Sequence, residues 1–417
     1  MQKRIRDIAE QCSQPNVRVN ALDLIDLRPY IESFLDPDWL NLKLTEYEKW
    51  AKSYSDPLLQ RNILHRPLGT NMLIAMIWAA RSWEQEYKKD TSFLPPGGVK
   101  RLIPIACSMA VLELHASKYL DSDARKHIQQ RFQATDNFLS MVHEINTFAH
   151  FIRKDIDIEP KFLKKSSREE IVLHFRGQTI PVQCKNRKPG SGRLISQDSL
   201  TNLAGSIARD AKNAKKKLLV RLGSTESIRQ KDVDFLRHQV ISGVGSGIGP
   251  ALILHKGRAF TLRTQPILGH FTVDSAREYL SSFNFHIGML VGDPSPNGLG
   301  YNVDAIIGID ANPDDKIRSW NSLQQSIWRG AKQLKGGPPG IVAVNYTDPV
   351  SDFEVLRPGS KPMLQEIAKL IHPLPHVAAV MLSSEPDLQL PGSGQAGSAR
   401  AYYKKPCEFA ELLGDSV

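Results

Sequence analysis

The chain has 417 residues, a formal net charge of +10 and a hydrophobic content of 41%. That length favours two or three domains, and that composition allows a core without disulfide or metal staples. The four cysteines (Cys12, Cys107, Cys184 and Cys407) are scattered with no CxxC pair, which argues against a zinc ribbon and for a reducing compartment.

The basic balance fits a polyanionic partner, nucleic acid first. The charged start Met1–Arg6 has no apolar run behind it and does not read as a secretory signal. The longest apolar stretches, residues 71–80 and 102–114, fall short of the roughly 20 residues of a membrane span. A cytoplasmic location without membrane association is expected.

Residues 1–130 read mostly helical. Residues 71–87 begin apolar and turn amphipathic, and 101–119 form a second helical candidate. Breaks fall at Asp56-Pro57, Arg66-Pro67 and Pro95-Pro96-Gly97-Gly98. Trp78 and Trp83 belong to the packing of this region. Residues 137–153 (NFLSMVHEINTFAHFIR) carry apolar residues at Phe138, Leu139, Val142, Ile145, Phe148, Ala149 and Ile152, a helical stripe. His143 and His150 fall outside it and are expected at the surface, and they make no HExxH zinc motif.

A short strand is expected at 155–159, then a hairpin of 171–175 and 179–184 turning at Arg176-Gly177-Gln178. Beyond it come a helix at 200–218, strands at 218–222 and 251–255, strands at 287–291 and 303–309, a helix at 320–334 and a buried strand at 341–344. Gly243, Gly245, Gly247 and Gly249 read as a loop, and the GK[ST] ending of a phosphate loop is missing. Residues 391–398 (PGSGQAGS) read as a surface loop or linker. The alternation of strands and helices argues an α/β protein.

Chemistry concentrates in EIVLHFRGQTIPVQCK, residues 170–185. On paired strands Gln183 and Lys185, two apart, share a face, and Glu170 opens the strand opposite. A one-residue register change would bring Glu169 in instead. Glu144 lies on the preceding helix, which can direct it to the same edge. A hard divalent cation takes oxygen ligands: a carboxylate from Glu170, an amide oxygen from Gln183, and the Cys184 carbonyl. A water made more acidic by the ion could attack a phosphodiester, with Lys185 holding that water or offsetting charge on the phosphate. Glu144 would add a further carboxylate or orient Lys185.

This order of elements resembles the PD-(D/E)xK nucleases, the restriction-endonuclease-like superfamily. That core has a helix bearing Glu, a hairpin with an Asp, and (E/Q)-x-K on the next strand. Here Glu144, Glu170 and Gln183-Cys184-Lys185 occupy those places, with Glu for the usual Asp and the Q-x-K variant of the last motif. The resemblance implies a restriction-endonuclease-like mixed sheet flanked by helices, with Mg²⁺ or Mn²⁺ as cofactor. It makes Glu170 and Gln183 the metal ligands, Lys185 the residue that assists the water, and Glu144 a supporting residue.

It covers about residues 137–220. The stretch SIWRGAKQLKGGPPGIVAVN, residues 326–345, also resembles the helix and strand that follow the active site, so two helices compete for one place. The expected layout is a helical N-terminal region at 1–130, the core at 131–348 with an insertion within 190–317, and a C-terminal extension at 349–417.

The reaction implied is hydrolysis of phosphodiester bonds, in DNA before RNA, with a role in bacterial defence or DNA processing. Lys188, Arg209, Lys212, Lys215 and Lys216 are the candidate phosphate contacts. A protein partner or a homo-oligomer is compatible with this reading. The first alternative is a degenerate core that binds nucleic acid or scaffolds partners without cutting, because Glu170 and Gln183 leave a less acidic site. The second is an unrelated α/β enzyme acting on a small anion near Gly243–Gly249.

Overall fold

The structure is a computed structural model describing residues 2–14, 19, 22–52, 71–89, 97–135, 137–164, 169–187, 197–213, 217–224, 232–246, 251–266, 285–294, 301–310, 313–346, 361–383 and 400–404. The chain is α/β and divides into two compact units. One gathers Met1–Thr45, Gly69–Pro189 and Asn321–Val417, the other Glu46–Leu68 and Gly190–Trp320.

The first unit opens with helices α1 (Lys3–Cys12), α2 (Asp23–Glu32) and α3 (Pro37–Lys52, which runs across the division), then α4 (Met72–Lys89), α5 (Gly97–His115), α6 (Ser122–Gln133) and α7 (Phe138–Ile152). From Leu102 to Leu112 nearly every side chain of α5 is buried, as expected of a helix apolar all round. It packs against α1, α2, α4 and α7. Trp83 of α4 is buried and Trp78 partly so.

The sheet of this unit runs in the order β1 (Asp157–Glu159), β2 (Ile171–Phe175), β3 (Gln178–Arg187), β9 (Gly340–Tyr346), β10 (Val377–Ser383) and β11 (Arg400–Lys404). β2 and β3 form a hairpin in which Ile171 pairs with Val182 and Phe175 with Gln178. Its turn residues Arg176 and Gly177 have φ of 49° and 76°, the positive pair that matches the twist of a two-residue hairpin. β3 then pairs in parallel with β9, Gln183 beside Val342 and Lys185 beside Val344. β9 is buried through Ile341–Val344, which explains its unbroken apolar run.

Helix α10 (Pro313–Leu334) leads into β9. A Cβ on its Gly330 would stand 2.5 Å from Cγ1 of Val342, so the absent side chain lets helix and strand close together. α10 is therefore the helix between β3 and β9. β10 and β11 carry the sheet past residue 348, beside α11 (Lys361–Ile371).

The second unit holds α8 (Gln197–Asn213), α9 (Val233–Ser246) and a mixed sheet. Its strand order is β5 (Ala251–His255), β6 (Arg258–Pro266), β4 (Leu218–Ser224), β8 (Tyr301–Asp310) and β7 (Phe285–Pro294). Leu203 and Ile207 of α8 and Leu236 and Val240 of α9 share a core with Val220, Leu222, Phe260 and Ile307. Gly243 and Gly245 lie inside α9, which corrects the expected loop. Burial of Leu236 and Val240 at helical spacing outweighs the low helix propensity of glycine. Gly247 and Gly249 lie outside the described residues, as do residues 391–398. Among the described residues no helix is long and apolar enough to cross a membrane.

Candidate active site

Strand alternation sets the site. Gln183 and Lys185 share one face of β3, and Glu170 precedes Ile171, the partner of Val182, so it arrives beside Gln183. The Lys185 ammonium donates to Glu170 Oε1 at 3.0 Å, to Gln183 Oε1 at 3.2 Å and to the Cys184 carbonyl at 2.9 Å. Three oxygens from two strands thus surround one cation. Gln183 is fully buried, whereas the side chains of Glu170 and Lys185 keep 20% and 16% of their surface open to solvent. Glu169, the alternative of a shifted register, instead lines a separate cleft of about 280 Å³ with Glu159, Lys161 and His174.

Glu144 reaches this cluster from α7. It is buried and held by a two-pronged ion pair from Arg131 of α6, at 2.5 and 2.8 Å. Thr147, one turn further along α7, hydrogen-bonds the Cys184 side chain, and His143 meets the Ala343 carbonyl of β9 at 3.1 Å. These contacts fix α7 against β3 and β9. His143 and His150 are both buried, which corrects their expected exposure. α7 is packed by α5, α6 and β3, so its buried arc is wider than one apolar stripe. Sequence reasoning also missed Arg131. It meets Glu144 from a different helix, and no local pattern marks such a contact.

Burial dominates the electrostatics. It pushes the Glu144 carboxyl above the ordinary glutamate value, against the pull of Arg131 and Lys185. It does the same to Glu170, with Lys185 opposing and Glu144 adding repulsion. The Cys184 thiol is pushed well up by burial and then by the two carboxylates, so it is no nucleophile. The mutual influence of Glu144, Glu170 and Lys185 places all three in one electrostatic neighbourhood.

One atom of the site is left over: Glu170 Oε2 is buried and makes no hydrogen bond, although the Cys184 backbone N–H also stabilises this carboxylate. Such an orphan costs free energy unless something binds it. The Gln183 amide oxygen and the Cys184 carbonyl, both now taken by the Lys185 ammonium, would complete with it a hard-oxygen donor set suited to Mg²⁺ or Mn²⁺ and not zinc. Among the described residues no cluster of three or more His, Cys, Asp or Glu could hold a metal ion. Any ion here would therefore keep much of its water.

The candidate phosphate contacts fall mostly outside the described residues. Arg209 lies on α8 in the second unit and is partly exposed. The Lys212 side chain and all of Lys188, Lys215 and Lys216 lie outside the described residues.

No family model, curated protein or solved structure matches this chain. A functional reading therefore stands on the cluster itself.

Proposed function

We propose that this protein is a metal-dependent nuclease of the PD-(D/E)xK type, hydrolysing phosphodiester bonds of DNA. The observation that carries the reading is the meeting of Glu170 and Gln183 on the Lys185 ammonium, with Glu144 in the same electrostatic neighbourhood and one buried Glu170 oxygen without a hydrogen bond. The order helix α7, hairpin β2–β3, helix α10 and strand β9 supports the restriction-endonuclease-like core, with residues 190–317 inserted in it. Glu170 and Gln183 would hold Mg²⁺ or Mn²⁺. That ion, when bound, supplies Lewis acidity and a water of lowered pKa.

The chain's own groups do the rest. Lys185 places a full positive charge where the attacked phosphate gains negative charge. Glu170 holds that ammonium at 3.0 Å and limits its motion. Glu144, locked by Arg131, adds a fixed negative charge behind the lysine. Because Gln183 is buried and Lys185 and Glu170 are only slightly open, charge at the cluster is weakly screened.

A cleavage assay tests this, with linear DNA, supercoiled plasmid and single-stranded RNA incubated with Mg²⁺, Mn²⁺ or EDTA. Metal-dependent cutting that disappears in Lys185→Ala is expected. Cutting that survives in Lys185→Ala would sink the proposal.

A second reading has its own observation. Each carboxylate already faces a cation, Glu144 with Arg131 and Glu170 with Lys185, so the cluster is neutral without a metal. That favours a degenerate core that binds nucleic acid without cutting it. Mn²⁺ affinity separates the two: a degenerate site shows none that depends on Glu170.

A further inference from the structure

The outer face of α10 is unlike any other surface described. Leu323, Ile327, Gly330, Ala331 and Leu334 are buried, while Asn321, Gln325, Trp328, Arg329 and Lys332 are exposed. At 3.6 residues per turn those five exposed positions fall on one face of the helix. Trp328 leaves 48% of its surface in water, one of few large hydrophobic residues to do so among the described residues. Residues 321–339 (NSLQQSIWRGAKQLKGGPP) contain Arg329, Lys332 and Lys335 and no acidic residue. An indole framed by cations, without a carboxylate to repel phosphate, matches the chemistry of an unpaired nucleotide: a flat base to stack on and a charged backbone beside it.

Its position strengthens the match. Gly330 sits over Val342, which lies beside Gln183, so α10 covers the face that carries Gln183 and Lys185. The short link from Leu334 to Gly340 forces α10 to run antiparallel to β9 and β3. Two residues along β3 advance about 6.6 Å, and four along a helix about 6 Å. Stepping from Gln183 to Lys185 therefore corresponds to stepping back from Gly330 to Ser326. Gln325 thus stands level with Lys185, Trp328 midway between Gln183 and Lys185, and Arg329 close to the level of Gln183, all about one helix diameter, roughly 10 Å, further out.

We infer that the outer face of α10 binds nucleic acid with unpaired bases, Trp328 stacking on a base and Arg329 and Lys332 contacting phosphates. Duplex interiors hide their base faces, so the surface selects single strands, overhangs or frayed ends. The inference rests on the nuclease reading for its biological sense but not for its measurement.

Binding is measured in EDTA by fluorescence anisotropy, with a labelled single strand, a blunt duplex and a duplex bearing an overhang. Wild type should prefer the single strand and the overhang over the blunt duplex. Trp328→Ala should lose about tenfold on the first two and leave the blunt duplex unchanged, and Trp328→Phe should stay near wild type. The double variant Arg329→Ala/Lys332→Ala should weaken all three and flatten the salt dependence. Equal loss on all three probes in Trp328→Ala, no loss in it, or no binding of any probe by wild type overturns the inference. A protein that fails to cut yet binds overhangs through Trp328 keeps this surface and loses only the nuclease reading.

Discussion

The two sheets are framed alike and filled differently. Each has parallel pairing at its centre, β3 with β9 and β9 with β10 in the first and β4 with β8 in the second, flanked by antiparallel strands. Each has a two-residue hairpin turn with both φ positive, Arg176-Gly177 and Lys256-Gly257. Among the described residues of the second unit, the buried charges are Asp232 and Arg258, paired with each other, the guanidinium 5.2 Å over the Phe260 ring. In the first, two carboxylates, an amide and a lysine meet from α7 and the β2–β3 hairpin. A charge pair sealed into a core beside an aromatic ring serves packing. Several polar groups drawn from separate elements and still partly open to solvent serve a ligand.

The largest effect should separate those roles. Lys185→Ala should lower cleavage per folded molecule about a thousandfold, a loss far larger than any fall in its unfolding midpoint in urea accounts for. Asp232→Ala should do the reverse. It strands Arg258 in the core, which costs about 3–5 kcal/mol, and cleavage per folded molecule should hold. If Asp232→Ala also abolishes cleavage at full folding, the distinction between the sheets fails.

A smaller effect tests the frame of the first sheet. Gly330→Ala places a methyl where Val342 already stands, and overpacking of that kind costs about 1–3 kcal/mol. Urea unfolding should report that loss, and an unchanged midpoint would mean that α10 does not seat on β9 through Gly330.

Much of this was legible in the sequence, for physical reasons. The hairpin around Gly177 announces itself because a positive-φ turn needs a particular residue. IVAV reads as a buried strand because both its faces are covered. Gln183 and Lys185 share a face because strands alternate.

What stayed hidden depends on tertiary partners. Nothing near Glu144 announces Arg131. Burial of His143 depends on a carbonyl 200 residues away. The helix at Gly243–Ser246 is imposed by its packing and not by its own residues. β6 shows the opposite lapse. Arg258, Phe260, Leu262 and Thr264 alternate inward, a period that the sequence displays and that turn-like neighbours obscured.

The finest distinction between the sheets is metal binding, and its pH dependence has a definite sign. Mn²⁺ takes the Glu170 carboxylate, so below the carboxyl's pKa one proton must leave for each ion bound. Affinity should then fall about tenfold per pH unit on that side and level off above it. Burial holds the carboxyl above the ordinary glutamate value, so the fall should begin at higher pH than for an exposed glutamate.

In the same window the folded chain holds more protons at Glu170 than the unfolded chain does. Its contribution to stability therefore falls as pH rises through the raised value, and bound Mn²⁺ should offset that loss. Titration calorimetry across pH, on wild type, Glu170→Gln and Asp232→Ala, reads all of this. Wild type should show the break and Glu170→Gln should lose the affinity, while Asp232→Ala, where folded, should keep both. Affinity that ignores pH, or that persists in Glu170→Gln, would put the ion elsewhere and leave the neutral, ion-paired cluster as a binding core.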